Sequence, residues 1–165
     1  MNTAMGRRGW RAAVALGSNL GDRKSHLVHA VDRLGAVLSD VVVSAFIETV
    51  SESDPNDPPF LNGALVGTTR ETPECLLATL LAIEAERGRE RLYLGAPRTL
   101  DLDLVLVEHL TAELPALRLP HPRFRSRAFV LGPLADIEPG LVDPVSGMSV
   151  GELYERLRGG RGWRR

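Results

Sequence analysis

Residues 97–106 read Pro97-Arg98-Thr99-Leu100-Asp101-Leu102-Asp103-Leu104-Val105-Leu106, an alternation of aliphatic and acidic residues that is typical of a strand. Successive side chains point to opposite faces of a strand, so the leucines should enter the core and the two aspartates should share the other face. Their backbone positions are then roughly 6–7 Å apart. Carboxylates at that separation repel each other unless a cation lies between them, and hard divalent cations prefer oxygen ligands. Asp101 and Asp103 are therefore candidate metal ligands, and the alternative is a solvated acidic face.

Arginines dominate the basic residues around this strand. Lys24 is the single lysine beside 19 arginines, and guanidinium groups match phosphate oxygens in pairs. The sequence contains neither a Walker A motif nor a Gly-x-Gly-x-x-Gly motif. A polyphosphate ligand would therefore be neutralised by a metal and by arginines. The candidates lie before, at and after the strand: Arg87, Arg89, Arg91, Arg98, Arg118, Arg123, Arg125 and Arg127.

Length and composition indicate a single domain over residues 1–165, with flexible tails at about 1–10 and 159–165. With 165 residues, of which 44% are hydrophobic and 25% charged, the chain can bury a core. A net charge of −1 gives no support for a nucleic-acid or membrane partner, and no apolar run approaches the ~20 residues of a membrane span. Cys75 is the single cysteine, so an internal disulfide is excluded. We expect a cytoplasmic monomer that acts on small molecules.

Periodicity and helix or turn signals predict the element order β-α-β-β-α-β, followed by two helices. The predicted strands cover 11–16, 41–48, 60–69 and 99–107, two helices end near 38 and 88, and later helices cover 125–134 and 149–157. Proline- and glycine-containing loops cover 50–59 and 89–97. This order is the split β-α-β, or ferredoxin-like, pattern of the α+β class. It predicts an antiparallel sheet with helices on one face and the other face open to ligands.

Four further residues could recognise a ligand. His121 lies between two prolines that restrict its backbone, and it could donate a hydrogen bond to a phosphate oxygen. Phe60 could stack on a flat heterocycle while the Asn62 amide reads the ring edge, and Phe129 could cover the opposite face. Each also has an ordinary structural explanation, since phenylalanines fill cores and lone histidines are commonly structural.

Taken together, these segments resemble the hydroxymethyldihydropterin pyrophosphokinase family of the folate pathway. The segment from Arg98 to Asp103 is the most specific part of the resemblance. The family implies transfer of pyrophosphate from ATP to the hydroxymethyl group of 6-hydroxymethyl-7,8-dihydropterin, with release of AMP. The matching segments are Gly17-Ser18-Asn19-Leu20-Gly21-Asp22, Phe60-Leu61-Asn62, Ile83-Glu84 with Gly88-Arg89, residues 97–103, and Pro120-His121 through Arg127 and Phe129.

The resemblance also implies roles for individual residues. Two Mg²⁺ ions would be bound by Asp101 and Asp103, which would act as catalytic residues together with Arg89 and Arg98. ATP is the co-substrate, and its phosphates would contact Arg89, Arg91, Arg98, His121 and Arg127. The pterin pocket would consist of Thr49, Phe60, Asn62 and Phe129.

Both loops depart from the family pattern. Val50-Ser51 stands where prolines usually follow the threonine, and Gly95-Ala96 stands where an aromatic residue and a glycine usually precede Pro-Arg. Tyr93 could supply the aromatic side chain from a shifted position. Two alternatives stay open: another magnesium-dependent phosphoryl or nucleotidyl transferase that uses the same aspartates, and a nucleotide-binding relative without turnover.

Overall fold

A computed structural model describes residues 8–90 and 93–162 of the chain. The first part contains β1 (Trp10–Ser18), α1 (Arg23–Val37), β2 (Ser39–Val43), β3 (Ile47–Thr49), β4 (Phe60–Thr69) and α2 (Pro73–Glu86). The second part contains β5 (Asp101–Val107), β6 (Ala112–Glu113), β7 (Arg118–Leu119), a 3-10 turn (Phe124–Ser126), α3 (Ala128–Ile137) and α4 (Val150–Gly162). None of the helices in these described ranges is long and apolar enough to cross a membrane.

The main sheet has the spatial order β2-β4-β1-β5, and β3 also pairs with β4. All of its pairings are antiparallel, and β6 and β7 form a separate antiparallel hairpin. The predicted α+β architecture with an antiparallel sheet is therefore confirmed. Because β1 lies between β4 and β5, side chains that follow β4 and β5 along the sequence meet beside β1 in space.

The expectation that helices cover one face of the sheet is wrong. Helices α1 and α2 pack on one face around residues such as Leu34 and Leu80, whereas α3 and α4 pack on the other face around Leu131 and Leu153. The reason lies in β1, which is apolar at consecutive positions from Ala12 to Leu16 instead of alternating. A strand with two apolar faces needs cover on both sides.

Helix starts follow their local signals. The Asp22 side chain accepts a hydrogen bond from the Ser25 backbone N–H at 3.1 Å and caps α1, and Thr72 caps α2 by accepting one from Cys75 N–H at 3.2 Å. Pro73 occupies the first turn of α2, where its missing N–H leaves no hydrogen bond unmade. These caps fix where the two helices leave the sheet.

Three elements differ from the prediction more than the others do. The expected strand over 41–48 is two strands, because the Ser44 hydroxyl accepts the Ala64 backbone N–H at 2.9 Å and interrupts the ladder. Helix α3 runs from Ala128 to Ile137, so it begins and ends about three residues later than predicted. Helix α4 extends to Gly162, beyond the predicted end near residue 157.

We expect Leu131→Ala to lower the free energy of unfolding by about 2–5 kcal/mol, because it leaves a cavity between α3 and the sheet. Leu131 is 0% exposed. The matched control is Leu81→Ala, which removes the same atoms from a leucine of α2 that is 47% exposed and should cost well under 1 kcal/mol. Urea unfolding followed by circular dichroism measures both values. Equal, small losses would contradict a packed core on this second face.

Candidate active site

A cavity of about 380 Å³ lies beside the ends of β1, β4 and β5. In this part of the sheet, Gly17 of β1 pairs with Asn62 of β4 on one side and with Asp101 of β5 on the other. A Cβ atom at Gly17 would lie 2.8 Å from Asn62 Oδ1, so a side chain here would displace the amide. Because Ala15 and Gly17 of β1 have small or no side chains, polar groups of the neighbouring strands β4 and β5 are exposed to the cavity.

Asp101 is held by two arginines. Arg89 Nη1 donates to its Oδ1 at 2.6 Å, and Arg98 Nη1 donates to its Oδ2 at 3.0 Å. Arg89 Nη1 also donates to the Leu100 carbonyl at 3.1 Å and pairs with Glu84 of α2. The side chains of Arg89 and Glu84 are only 9% and 3% exposed, so the charges compensate each other away from water. This network fixes the Asp101 carboxylate at the cavity wall.

Asp103 follows Asp101 by two residues, so it lies on the same face of β5, and it also lines the cavity. Burial, together with the nearby charge of Asp101, raises the pKa of Asp103 to about 6. No hydrogen bond or ion pair to its carboxylate occurs within the described residues. Two carboxylates of which one is desolvated form an oxygen site that a hard divalent cation would stabilise.

The predicted phosphate-binding residues do not all reach the cavity. Arg98 and Arg127 line it. Arg89 is not a lining residue, but it pairs with Asp101, which is one. His121 is not among the lining residues, and Arg91 lies outside the described residues.

His121 is nevertheless fixed in one orientation close to β5. Its backbone N–H donates to the Val105 carbonyl at 2.7 Å, and its ring Nδ1 accepts from the Arg123 backbone N–H at 3.1 Å. Burial lowers the pKa of His121, and the positive charges of Arg127 and Arg123 lower it further. A neutral ring that accepts at Nδ1 carries its proton on Nε2, where it can serve as a hydrogen-bond donor.

All four residues predicted for pterin binding line the cavity: Thr49, Phe60, Asn62 and Phe129. Asn62 Nδ2 donates to Thr49 Oγ1 at 2.6 Å, which orients the amide. The Arg98 guanidinium lies 5.9 Å from the centre of the Phe60 ring, and that of Arg127 lies 5.6 Å from the centre of the Phe129 ring. Each of these two phenylalanines therefore has an arginine guanidinium beside its ring.

The two loops meet over this cavity. Val50 and Leu94 line it, and the Leu94 side chain is fully exposed to solvent. Tyr93 is exposed and is not among the lining residues, so of these two neighbours it is Leu94 that lies at the cavity. Gly95 has φ of +79°, and a Cβ there would lie 3.1 Å from Ser53 Oγ. The loops therefore contact each other where glycine allows a close approach.

Sequence reasoning assigned no role to three residues that shape the site. Asn19 accepts from Arg98 N–H at 2.7 Å and donates to the Pro58 carbonyl at 3.2 Å, so it links both loops to the end of β1. Glu84 had a detectable signal, because it is a carboxylate four residues after Leu80 on the buried face of α2. Glu52 lines the cavity, and nothing in its local sequence indicates this. Arg123, one of the arginines considered for phosphate binding, also lines the cavity.

An acidic pair, of which Asp101 is held by two arginines, lies beside aromatic and amide groups and is suited to phosphoryl transfer onto a flat ring compound. The family model described as 7,8-dihydro-6-hydroxymethylpterin-pyrophosphokinase (HPPK) matches residues 13–139. The chain therefore belongs to the HPPK family.

Individual relatives agree with this assignment. The 2-amino-4-hydroxy-6-hydroxymethyldihydropteridine pyrophosphokinase of Methylorubrum extorquens is 41% identical, over 89% of this chain and 93% of the relative. The enzyme of the same name from Synechocystis is 38% identical, over 88% of this chain and 75% of the relative.

Among solved structures, the wild-type Plasmodium falciparum HPPK-DHPS with pteroate has a TM-score of 0.68 at 15% identity and shares the fold. The match covers 89% of this chain but only 42% of the Plasmodium chain, so this chain spans less than half of that protein.

The pKa of Asp103 leads to a stability prediction. Because the folded state raises this pKa from 3.8 to about 6, folding favours the protonated carboxyl, and ionised Asp103 destabilises the fold at higher pH. In the absence of divalent cations, we expect Asp103→Asn to gain stability relative to wild type as pH rises from about 4 to 7. The gain should level off near 2–3 kcal/mol. Chemical denaturation at several pH values measures it, and a difference independent of pH would contradict the raised pKa.

Proposed function

We propose that this cavity is where the chain carries out the reaction of its family. It transfers pyrophosphate from ATP to the hydroxymethyl group of 6-hydroxymethyl-7,8-dihydropterin and releases AMP. The observation that supports this best is the shared cavity, in which the carboxylates of β5 and the residues Phe60 and Asn62 of β4 lie on either side of β1. A metal-bound triphosphate and a flat heterocycle can thus lie next to each other.

Asp101 and Asp103 would bind Mg²⁺, and we propose two ions. The donor set fits, because Mg²⁺ in such sites is commonly bound by one or two carboxylates plus substrate phosphates. No cluster of three or more Asp, Glu, His or Cys side chains suited to a metal occurs within the described residues, which agrees with a site that phosphate oxygens complete. When bound, the ions would neutralise phosphate charge and align the reacting oxygens.

The arginines would hold the nucleotide. Arg98 and Arg127 line the cavity, and Arg89 pairs with the Asp101 carboxylate. His121, neutral and protonated on Nε2, would donate a hydrogen bond to a phosphate oxygen. We also assign Arg91 to this group, from the resemblance of its segment. Most of the work in such transfers is positioning and charge stabilisation, which these groups can supply.

The pterin would lie between Phe60 and Phe129, with its pyrimidine edge on Asn62. Thr49 orients the amide by accepting from Nδ2, so the remaining amide hydrogen and Oδ1 can pair with a ring edge that offers both donors and acceptors. In the transfer, the pterin hydroxyl oxygen bonds to the β-phosphorus. The bond from that phosphorus to the oxygen shared with the α-phosphate breaks, AMP leaves, and the hydroxyl proton passes to a carboxylate or to water.

Two structural and cellular features complete the proposal. The spatial order β2-β4-β1-β5 supports a variant of the ferredoxin-like sheet, in which β3 is an addition and α3 and α4 cover the second face. We also propose that the protein works in the cytoplasm as a monomer, on small-molecule substrates and without a nucleic-acid or membrane partner.

The decisive assay identifies the nucleotide product from ATP, Mg²⁺ and the dihydropterin. We expect AMP only when the pterin is present, and a loss of about 10³-fold or more in kcat for Asp101→Asn, because a metal ligand and an arginine partner disappear together. Asp32→Asn, an exposed aspartate on α1, is the control and should keep wild-type turnover. ADP as product would indicate another class of phosphotransferase, and bound ATP without turnover would indicate a non-catalytic relative.

Phe60→Ala tests the pterin assignment. Loss of a stacking face should raise the KM for the pterin roughly 10-fold, while the KM for ATP changes less than 2-fold, since stacking is worth about 1–3 kcal/mol. Phe124→Ala is the control for general core damage, because Phe124 is buried away from the cavity lining and should lower stability without separating the two KM values. Equal changes in both KM values for Phe60→Ala would remove its assignment to the pterin.

A further inference from the structure

Glu52 lines the cavity but belongs to neither the proposed pterin pocket nor the proposed metal site. Glu52, in the loop between β3 and β4, places its Oε2 3.2 Å from Nη2 of Arg127, the residue that precedes α3. Both side chains line the cavity. The Glu52 side chain is 54% exposed, whereas that of Arg127 is only 17% exposed. A loop carboxylate therefore covers an arginine that would otherwise present its charge to the cavity.

The carboxylates that pair with the proposed nucleotide-binding arginines differ in how firmly they are held. Glu84 belongs to α2 and is buried, and Asp101 belongs to β5 and has two arginine partners. Glu52 is the partner that lies in a loop and is more than half exposed. Of these three carboxylates, Glu52 can leave its arginine with the least disturbance of the fold.

Glu52 and a phosphate would compete for the Arg127 guanidinium. A triphosphate that paired with Arg127 would bring its negative charge next to the Glu52 carboxylate, and the two like charges would repel each other. We propose that Glu52 acts as a substitute for a phosphate group in the ligand-free protein, pairing with Arg127 until the nucleotide triphosphate displaces it. This inference rests on the proposed function, which places Arg127 among the phosphate-binding residues.

Displacement of Glu52 also affects the neighbouring loop contacts. Ser53, the next residue, touches Gly95 of the second loop, and Val50 lines the same cavity. The ion pair with Arg127 therefore holds this side of the cavity at α3. A phosphate that takes over Arg127 releases that attachment, so occupation of the phosphate site and freedom of the loop are linked through one charge pair.

The test compares the affinity of wild type and Glu52→Gln for Mg·ATP and for inorganic tripolyphosphate, by calorimetry without pterin. Removing the competing carboxylate should tighten both ligands by up to about 5-fold, the upper end expected for an exposed ion pair, and high salt should reduce the difference. The matched control is Glu48→Gln. Glu48 pairs with Arg23 at 2.8 Å outside the cavity lining and is 57% exposed, so it removes the same charge without freeing Arg127.

Arg127→Gln separates failure of this inference from failure of the proposed function. If Arg127→Gln leaves Mg·ATP affinity unchanged, Arg127 is not a phosphate-binding residue, and both its proposed role and the inference are overturned. If Arg127→Gln weakens binding but Glu52→Gln tightens it no more than Glu48→Gln does, only the inference is overturned.

The double variant completes the cycle. We expect Glu52→Gln to have no effect on Mg·ATP affinity when Arg127 is already glutamine, because Glu52 and the phosphate then have no guanidinium to compete for. A tightening that persists in the Arg127→Gln background would show that Glu52 acts through general charge, and would overturn the inference.

Discussion

The site depends on the two ion pairs that the Arg89 guanidinium makes with Glu84 and Asp101. Glu84 comes from the buried face of α2, Arg89 from the segment just after that helix, and Asp101 from the first position of β5. Each of these charges would be costly if buried alone, so their mutual contact fixes a helix, a loop and a strand at one point. The Asp101 carboxylate therefore has a defined orientation at the cavity, and Arg98 donates a hydrogen bond to its other oxygen, Oδ2. The geometry of the carboxylate pair follows from this anchor.

Asp103 shows the opposite balance, because its ionised carboxylate costs the fold stability, and the proposed metal site would account for that cost. It lies opposite Ala15 of β1, so the small side chain leaves room beside a carboxylate that burial would otherwise exclude. The raised pKa of Asp103 reflects both that burial and the charge of Asp101. Within the described residues, Asp101 has two arginine partners, whereas Asp103 has no hydrogen bond or ion pair. A cation bound with the substrate phosphates would compensate the negative charge of Asp103. The same buried, uncompensated charge would therefore favour metal binding and destabilise the metal-free fold.

How much the sequence could predict depends on the range of the interaction that sets each feature. The strand β5 and the shared face of its two aspartates follow from period-two geometry, which is local, and they were predictable from residues 97–106. Cover on both faces of the sheet also had a signal in the apolar positions 12–16, but the order of the elements favoured a sheet covered on one face. By contrast, the contacts of Glu52 with Arg127 and of Ser53 with Gly95 join residues far apart in the chain. They depend on how two loops meet, and no local pattern encodes that meeting.

The two departures from the family pattern acquire a physical meaning from these loop contacts. Without prolines after Thr49, the first loop is less restricted by its own backbone, and its position depends on contacts made at both of its ends. Asn19 holds the Pro58 end, and Glu52 holds the other end by its charge pair with Arg127. In the second loop, Gly95 allows the close approach of Ser53 that a bulkier residue would prevent. This chain therefore positions its loops by hydrogen bonds and charge, where stiff backbone and aromatic packing would do so in the family pattern. With the role proposed for Arg127, loops held in this way would respond directly to the arrival of a polyanion, because the same arginine would bind the loop and the phosphate.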